Sequence, residues 1–303
     1  MKNLQTILSN SLSSASLKSY RHSWDLFIEF CNKSKFSCCL PLSQNVLLMF
    51  ISYLDLKELA PATISSHMSA LSYMHKVFNV TDSTKNFIVS KALASCYKKY
   101  KKIDMRLPIT NDILEKIIFA TEQVLDNCYE IKMFKAMFAL AFHGFLRIGE
   151  LTVTNLKQEN FNLLKMGNVR LTDVIEITFV HFKHCKGQPF ILQIKPKKRI
   201  KNCPVQLMKN YLSVSLSKSN DKPLFQTSPG IPMLRTKFEK ILKQTLKFCN
   251  INNAGYKCHS FRIGAATEAS KQGLEEEKIK ELGRWNSNAY KKYIRLAHRV
   301  SCL

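Results

Sequence analysis

Three short motifs in the second half of the chain hold residue types that could break a phosphodiester without a metal. That chemistry requires positive donors on the non-bridging oxygens, a nucleophile, and an acid for the departing alkoxide. The first motif is Phe145-Leu146-Arg147-Ile148-Gly149-Glu150-Leu151, in which an arginine directly follows an apolar helical stretch and a carboxylate stands three residues on. Taken alone, Arg147 and Glu150 read as an ordinary surface ion pair. The second motif is His259-Ser260-Phe261-Arg262. Residues three apart share a helix face, so His259 and Arg262 can converge on one oxyanion while the helix N-terminus adds positive potential. Histidine and arginine at this spacing also occur by chance. The third is Gly283-Arg284-Trp285, followed eight residues after the tryptophan by Tyr293-Ile294-Arg295. Tryptophan and tyrosine so placed ordinarily serve as core and surface anchors.

These residues need elements that bring distant stretches together. Over Asp112 to Leu125 and Tyr129 to Phe142, apolar residues such as Ile113, Ile117, Phe134, Met137 and Phe138 recur at helical spacing. The period then changes. Val174 to Phe182 and Phe190 to Ile194 are rich in β-branched and aromatic residues, with His184-Cys185-Lys186-Gly187 between them as a turn, which predicts a β-hairpin. Helices resume near Val205 and are expected over Leu234 to Phe248, His259 to Lys271 with Gly273 as a stop, Leu274 to Leu282, and Ser287 to Arg299. The N-terminal third is helical throughout, from Ser14 to about Lys102. Tyr20, Trp24, Leu26, Phe27, Phe30 and Cys31 fall on one broad face, and further helices are expected over Val46 to Leu56, Pro61 to Phe78 and Phe87 to Tyr100. This predicts a mainly α fold with a small antiparallel β-sheet, divided into a compact four-helix domain at 1–104 and a second domain at 105–303. The division agrees with the usual domain size of roughly 100–200 residues. The basic run Lys98, Lys99, Lys101, Lys102 and Arg106, ending at Pro108, reads as a linker, either a solvated charge run or a strap that touches phosphates. Thr63, Ser66 and His67, with Ala70 one turn on, form a short polar stripe that is more simply a solvated face than a groove contact.

The composition narrows the partner. Lys and Arg number 46 against 22 Asp and Glu, a formal net charge of +24 in a chain that is 46% hydrophobic. This describes a folded protein with a polyanionic partner, nucleic acid first and an anionic membrane surface second. No apolar run reaches the roughly 18 residues of a spanning helix, and Met1 to Ser14 has neither the apolar centre nor the cleavage site of a signal peptide. A soluble protein, nuclear or otherwise intracellular, is expected. The 10 cysteines are scattered without metal-ligand spacing, so neither a zinc site nor a disulfide framework is expected.

Co-occurrence gives the motifs their weight. An arginine in the Leu146-Arg147 to Glu150-Leu151 context, a hairpin bearing a lysine, then His259 and Arg262, then Gly283-Arg284-Trp285 and Tyr293 near the C-terminus resembles, in order and separation, the tyrosine recombinases, also called phage-type integrases. The resemblance spans nearly the whole chain, because the helical N-terminal region is similar to that family's core-binding, SAM-like domain. It implies roles residue by residue. Arg147 and Arg262 would clamp the scissile phosphate with planar guanidinium forks. Lys183, at the strand end before the turn, would protonate the leaving 5′ oxygen; Lys186 is the alternative, and an ordinary surface lysine the plainer reading. His259 would assist acid–base transfer. Trp285 stands where many members have histidine and some tryptophan, and its indole N–H can donate to phosphate but cannot shuttle a proton. Glu150 would orient the site from behind. Tyr293 would attack phosphorus to give a 3′-phosphotyrosine, a task for which a phenol of pKa about 10 needs surrounding cations. Tyr290, one turn earlier, is its rival.

The resemblance further implies double-stranded DNA as partner, a homo-oligomer, commonly a tetramer, assembled on it, no metal or nucleotide cofactor, no small-molecule substrate and no membrane. The spacing from Trp285 to Tyr293 is one residue shorter than is common, and the motif style is closest to recombinases of eukaryotic mobile elements, the Crypton, DIRS and Ngaro groups. Three other readings stay open: a domesticated, non-catalytic DNA-binding protein of the same fold, a type IB topoisomerase, and a basic helical RNA-binding or scaffold protein.

Overall fold

The computed structural model describes residues 12–100, 104–157, 161–182, 187–197 and 202–295. The chain divides into two compact units, Met1–Asp104 and Met105–Leu303.

The first unit is helical: α1 (Ser14–Ser34), α2 (Gln44–Leu56), α3 (Pro61–Val77) and α4 (Phe87–Lys99). Local chemistry sets the starts. Ser13 accepts from Ser16 N–H, Ser43 accepts from Val46 N–H, and Pro61 takes the first turn of α3, where its missing N–H costs nothing. α1 packs on α3, and α4 packs on α2 and α3. Between them lies an aromatic core in which the Phe27 and Phe50 rings meet edge to face at 5.1 Å. Burying one such phenylalanine completely contributes about 2–3 kcal/mol.

The polar stripe expected on α3 does not form one solvated face. Thr63 and Ser66 are exposed, but His67 and Ala70 are buried. His67 lies at helical spacing between Ile64 and Leu71 on the face packed against α1, and its Nδ1 hydrogen-bonds Ser23 Oγ at 2.9 Å. The basic run is also divided. Lys98 and Lys99 complete the last turn of α4, where Lys99 pairs with Asp55 at 2.7 Å, while Lys101 and Lys102 fall outside the described residues.

The second unit contains α5 (Asn111–Val124), α6 (Cys128–His143), a one-turn α7 (Ile148–Leu151), strands β1 (Val169–Leu171), β2 (Ile175–Phe179) and β3 (Phe190–Ile194), α8 (Pro204–Leu212), a small β4–β5 pair (Gln226–Ser228 and Ile231–Pro232), α9 (Arg235–Phe248), α10 (Ser260–Lys271) and α11 (Glu276–Gly283). α6 is apolar nearly all round from Met133 to Phe142 and is accordingly wrapped by α5, α8 and α10. The sheet runs β1-β2-β3, antiparallel throughout, with Ile177 opposite Leu192 and Phe179 opposite Phe190. Ile175, Ile177 and Phe179 alternate onto the buried face. The expected hairpin is therefore present, although its strand stops at Phe179 instead of Phe182 because Phe190, the partner of Phe179, opens β3. The short strands β1, β4 and β5 carry too little alternation to be read from sequence.

Two backbone features aim the site. α6 ends at Gly144, and Phe145 takes the left-handed conformation (φ 50°), so the chain reverses and delivers Arg147 as the N-cap of α7. Ahead of α5, residues 105–109 run as an extended strap: Leu107 N–H donates to Gly255 O (2.9 Å) and Ile109 N–H to Ser260 O (3.0 Å). The strap lies so close to α10 that a Cβ on Gly264 would sit 1.8 Å from Ile109 O.

The C-terminal helix expected over Ser287 to Arg299 is not formed where the chain is described. Asn288–Tyr293 is a 3₁₀ turn and Ile294 is extended (φ −83°, ψ 123°). A three-residue repeat eclipses side chains at i and i+3, so Tyr290 and Tyr293 share one face. Among the described residues no helix is long and apolar enough to cross a membrane.

Candidate active site

Glu150, 2% exposed at the centre of the site, ties two of the arginines together. Its Oε2 accepts from the Arg147 backbone N–H and from Arg284 Nη2, both at 2.8 Å, and its Oε1 accepts from Arg147 Nη1 at 3.3 Å. Arg147 Nη2 donates to Arg284 O at 3.3 Å. This is the expected Arg147–Glu150 pair, but buried on the carboxylate side, with the Arg147 side chain still 24% exposed.

Arg262, on the first turn of α10, is wholly buried. Its Nη1 donates to Phe145 O and its Nη2 to Gly283 O, and its guanidinium carbon stacks 4.0 Å from the Trp285 ring centre and 5.7 Å from that of Tyr293. Burial first, then the charges of Arg147 and Arg284, pull its pKa downward. Three guanidinium groups thus gather near a single carboxylate, which hydrogen-bonds two of them, so the pocket carries positive charge that an anion would neutralise.

His259 caps α10, its ring 6.2 Å from that of Tyr293. Burial, followed by the charges of Arg106, Arg262, Arg235 and Arg147, lowers its pKa, so the imidazole is neutral at pH 7 and able to accept a proton. Arg106 belongs to the strap of the second unit, and its charge is one of those that lower the His259 pKa. Trp285 lies 5.0 Å from Tyr293, ring centre to ring centre, and edge-on to Phe145 at 6.4 Å.

The two tyrosines part company. Tyr290 is buried in the core, whereas Tyr293 is half-buried among His259, Arg262 and Trp285. Thr267 on α10 fixes the segment, donating from Oγ1 to Tyr293 O (3.3 Å) and accepting from Arg295 N–H (2.9 Å). Arg147, Glu150, His259, Arg262, Trp285 and Tyr293, spread over most of the second unit, are therefore neighbours. Lys183 and its alternative Lys186 lie outside the described residues.

Sequence reasoning missed Arg284 and Thr267. Arg284 is 4% exposed, and its guanidinium stacks 3.9 Å from the ring centre of Phe179 at the end of β2. Its signal was present in Gly283-Arg284-Trp285, where the arginine was passed over for the tryptophan. Nothing local marks Thr267.

The sequence matches the phage integrase family over residues 109–299. No curated protein sequence matches it. Among solved structures, the fold is similar to the Tn1549 transposon integrase in complex with transposon right end DNA, with a TM-score of 0.61, 16% identity, and coverage of 97% of this chain and 94% of that one. It is also similar to the XerH site-specific recombinase bound to palindromic difH substrate, with a TM-score of 0.60, 16% identity, and 90% and 75% coverage. A lambda integrase dimer bound to a core site gives a TM-score of 0.59 at 14% identity, with 98% and 94% coverage. These likenesses extend the fold across both units, and the family match covers the stretch in which the arginines, the histidine and the tyrosines meet: the chain belongs to the phage integrase family.

Proposed function

We propose that this chain is a DNA breaking and rejoining enzyme, a site-specific recombinase or integrase of a mobile element, acting through a 3′-phosphotyrosine on Tyr293. The observation that carries the reading is the half-buried Tyr293 ring set within 6.2 Å of the His259 ring and 5.7 Å of the Arg262 guanidinium. In the step, Tyr293 Oη attacks phosphorus and passes its proton to neutral His259. The bond from phosphorus to the 5′ oxygen breaks, and Lys183 supplies the proton that makes a free 5′ hydroxyl. Arg147, with Arg262 behind it, stabilises charge on the non-bridging oxygens, and Trp285 donates its indole N–H to phosphate. Glu150 holds Arg147 in place. The phosphotyrosine conserves the energy of the broken bond, so a 5′ hydroxyl can reverse the step.

Residues 1–104 serve as a core-binding domain and 105–303 as the catalytic domain, acting on double-stranded DNA as a homo-oligomer, a tetramer on the assembled sites, in the nucleus or elsewhere inside the cell. The net charge of +24 supports phosphate-dominated affinity that falls steeply with salt. Structural neighbours described as a transposon integrase and as recombinases bound to DNA support the same reading. The motif style supports mobile-element relatives in the Crypton, DIRS and Ngaro groups.

A duplex nicked beside the cleavage point tests this. Loss of the short 5′ fragment traps the intermediate, and a denaturation-resistant protein–DNA adduct is expected. Salt-sensitive duplex binding without any adduct would instead identify a non-catalytic DNA-binding protein of the same fold.

A further inference from the structure

The geometry points to Arg284 as a positioning residue that sets the oxyanion pocket by holding Arg147 and Glu150 at once. This deepens the recombinase reading and rests on it for the identity of the natural anion, a DNA phosphate.

Arg284 touches both members of the pair by different atoms. Its side chain donates to Glu150 Oε2 at 2.8 Å, and its backbone carbonyl accepts from Arg147 Nη2 at 3.3 Å. The preceding carbonyl, that of Gly283, accepts from Arg262 Nη2. Consecutive carbonyls of one turn therefore receive the two arginines assigned to phosphate, one each, and the turn fixes the distance between their guanidinium groups.

The backbone reinforces the assignment. Arg284 caps α11 in the left-handed conformation (φ 53°, ψ 49°), a place where glycine is the low-strain choice. An arginine occupies it here, stacked on Phe179 and 4% exposed. Gly283 is equally constrained, because a Cβ there would come within 1.7 Å of the Trp285 ring. The turn thus seats Trp285 as well. Arg284 Nη1 and Nε and Arg262 Nε are buried without a hydrogen-bond partner among the described residues, which thus present donors in excess of acceptors in this pocket.

The test uses the full chain with tungstate as an inorganic oxyanion probe, titrated calorimetrically without DNA, together with duplex affinity and the rate of adduct formation on nicked duplex. Arg284→Lys keeps the charge but loses the fork, and Arg284→Gly removes the guanidinium while relieving backbone strain. Both are expected to weaken tungstate binding by about tenfold or more, the effect of misplacing the one charge-assisted contact that Arg147 would make to the anion. The cleavage rate at saturating duplex falls in parallel while duplex affinity stays within about twofold, because most phosphate contacts lie elsewhere. A merely structural role would lower both together. Tungstate binding by Arg284→Lys within about twofold of wild type, or no tungstate binding by wild type, overturns the assignment. Arg284-dependent tungstate binding in a chain that forms no adduct would leave the assignment standing and sink the recombinase reading.

Discussion

Glu150→Gln is expected to be among the most destabilising single changes in the second unit. The side chains of Glu150 and its partner Arg284 are both buried, so removing the negative charge leaves a guanidinium buried without compensation. Breaking such a pair from one side costs about 3–5 kcal/mol, whereas exposed pairs are worth about 0–1 kcal/mol. The substituted amide would retain one acceptor but turn its N–H toward a guanidinium, adding a clash of donors to the lost charge. For a unit of this size each kcal/mol lowers the Tm by about 2–4 °C, so a fall of about 6–20 °C is expected. Tryptophan fluorescence reports on the correct unit if Trp24, the other of the two tryptophans, is replaced by phenylalanine, leaving Trp285 beside the site. Urea unfolding at pH 7 followed through Trp285 then gives the free energy. The companion Glu150→Leu/Arg284→Met removes both charges, and it should be more stable than the sum of its single changes by about 1–3 kcal/mol. A Glu150→Gln cost below about 1 kcal/mol, or strict additivity in the double variant, would refute the claim that this carboxylate and these arginines form one buried network.

Three further outcomes follow from other features. Gly264→Ala sets helix propensity, which favours alanine by about 1 kcal/mol, against a Cβ placed 1.8 Å from the Ile109 carbonyl, where overpacking costs about 1–3 kcal/mol; the chain should be destabilised, and a raised Tm would contradict the strap's close approach. His143 is held to a pKa of about 3 by burial and by the charge of Lys197. The unfolded chain binds that proton near pH 6.5 and the folded chain does not, so stability falls on acidification from about pH 6.5 toward 3 by up to about 1.4 kcal/mol per unit. His143→Phe should flatten that slope in denaturation series across pH, and an unchanged slope would count against it. His259, neutral because its pKa is lowered, should leave the cleavage rate flat as pH drops past the ordinary histidine value of about 6.5, with the acid limb below it and displaced in His259→Gln. An acid limb above that value would remove His259 as proton acceptor.

Sequence and structure agree best where a long apolar repeat admits only one element. α6 and β2 were legible because their apolar residues repeat at the period of the element that buries them. The buried face of α3 was legible too, yet His67 was read as polar and therefore outward, when its spacing from Ile64 and Leu71 placed it inward, against Ser23. The C-terminal segment misled for a different reason. Helical spacing around Tyr290 and Tyr293 is compatible with a 3₁₀ turn of the same residues, and the tighter turn prevails where Tyr290 enters the core and Thr267 holds the backbone at 293 and 295. The catalytic motifs were visible as residue types at set spacings, but burial was not. Arg147 and Glu150 looked like a surface pair, and Arg284 like its neighbour's companion, because only tertiary packing shows that Arg147 and Arg284 share one buried carboxylate.

In the proposed reaction the phenol of Tyr293 becomes bonded to phosphorus. Peptide mapping by mass spectrometry of the adduct trapped on nicked duplex measures this directly. A nucleotide mass on the peptide containing Tyr293, and no adduct from Tyr293→Phe of unchanged Tm, is the predicted result. A nucleotide on Tyr290, or an adduct that survives in Tyr293→Phe, would contradict it.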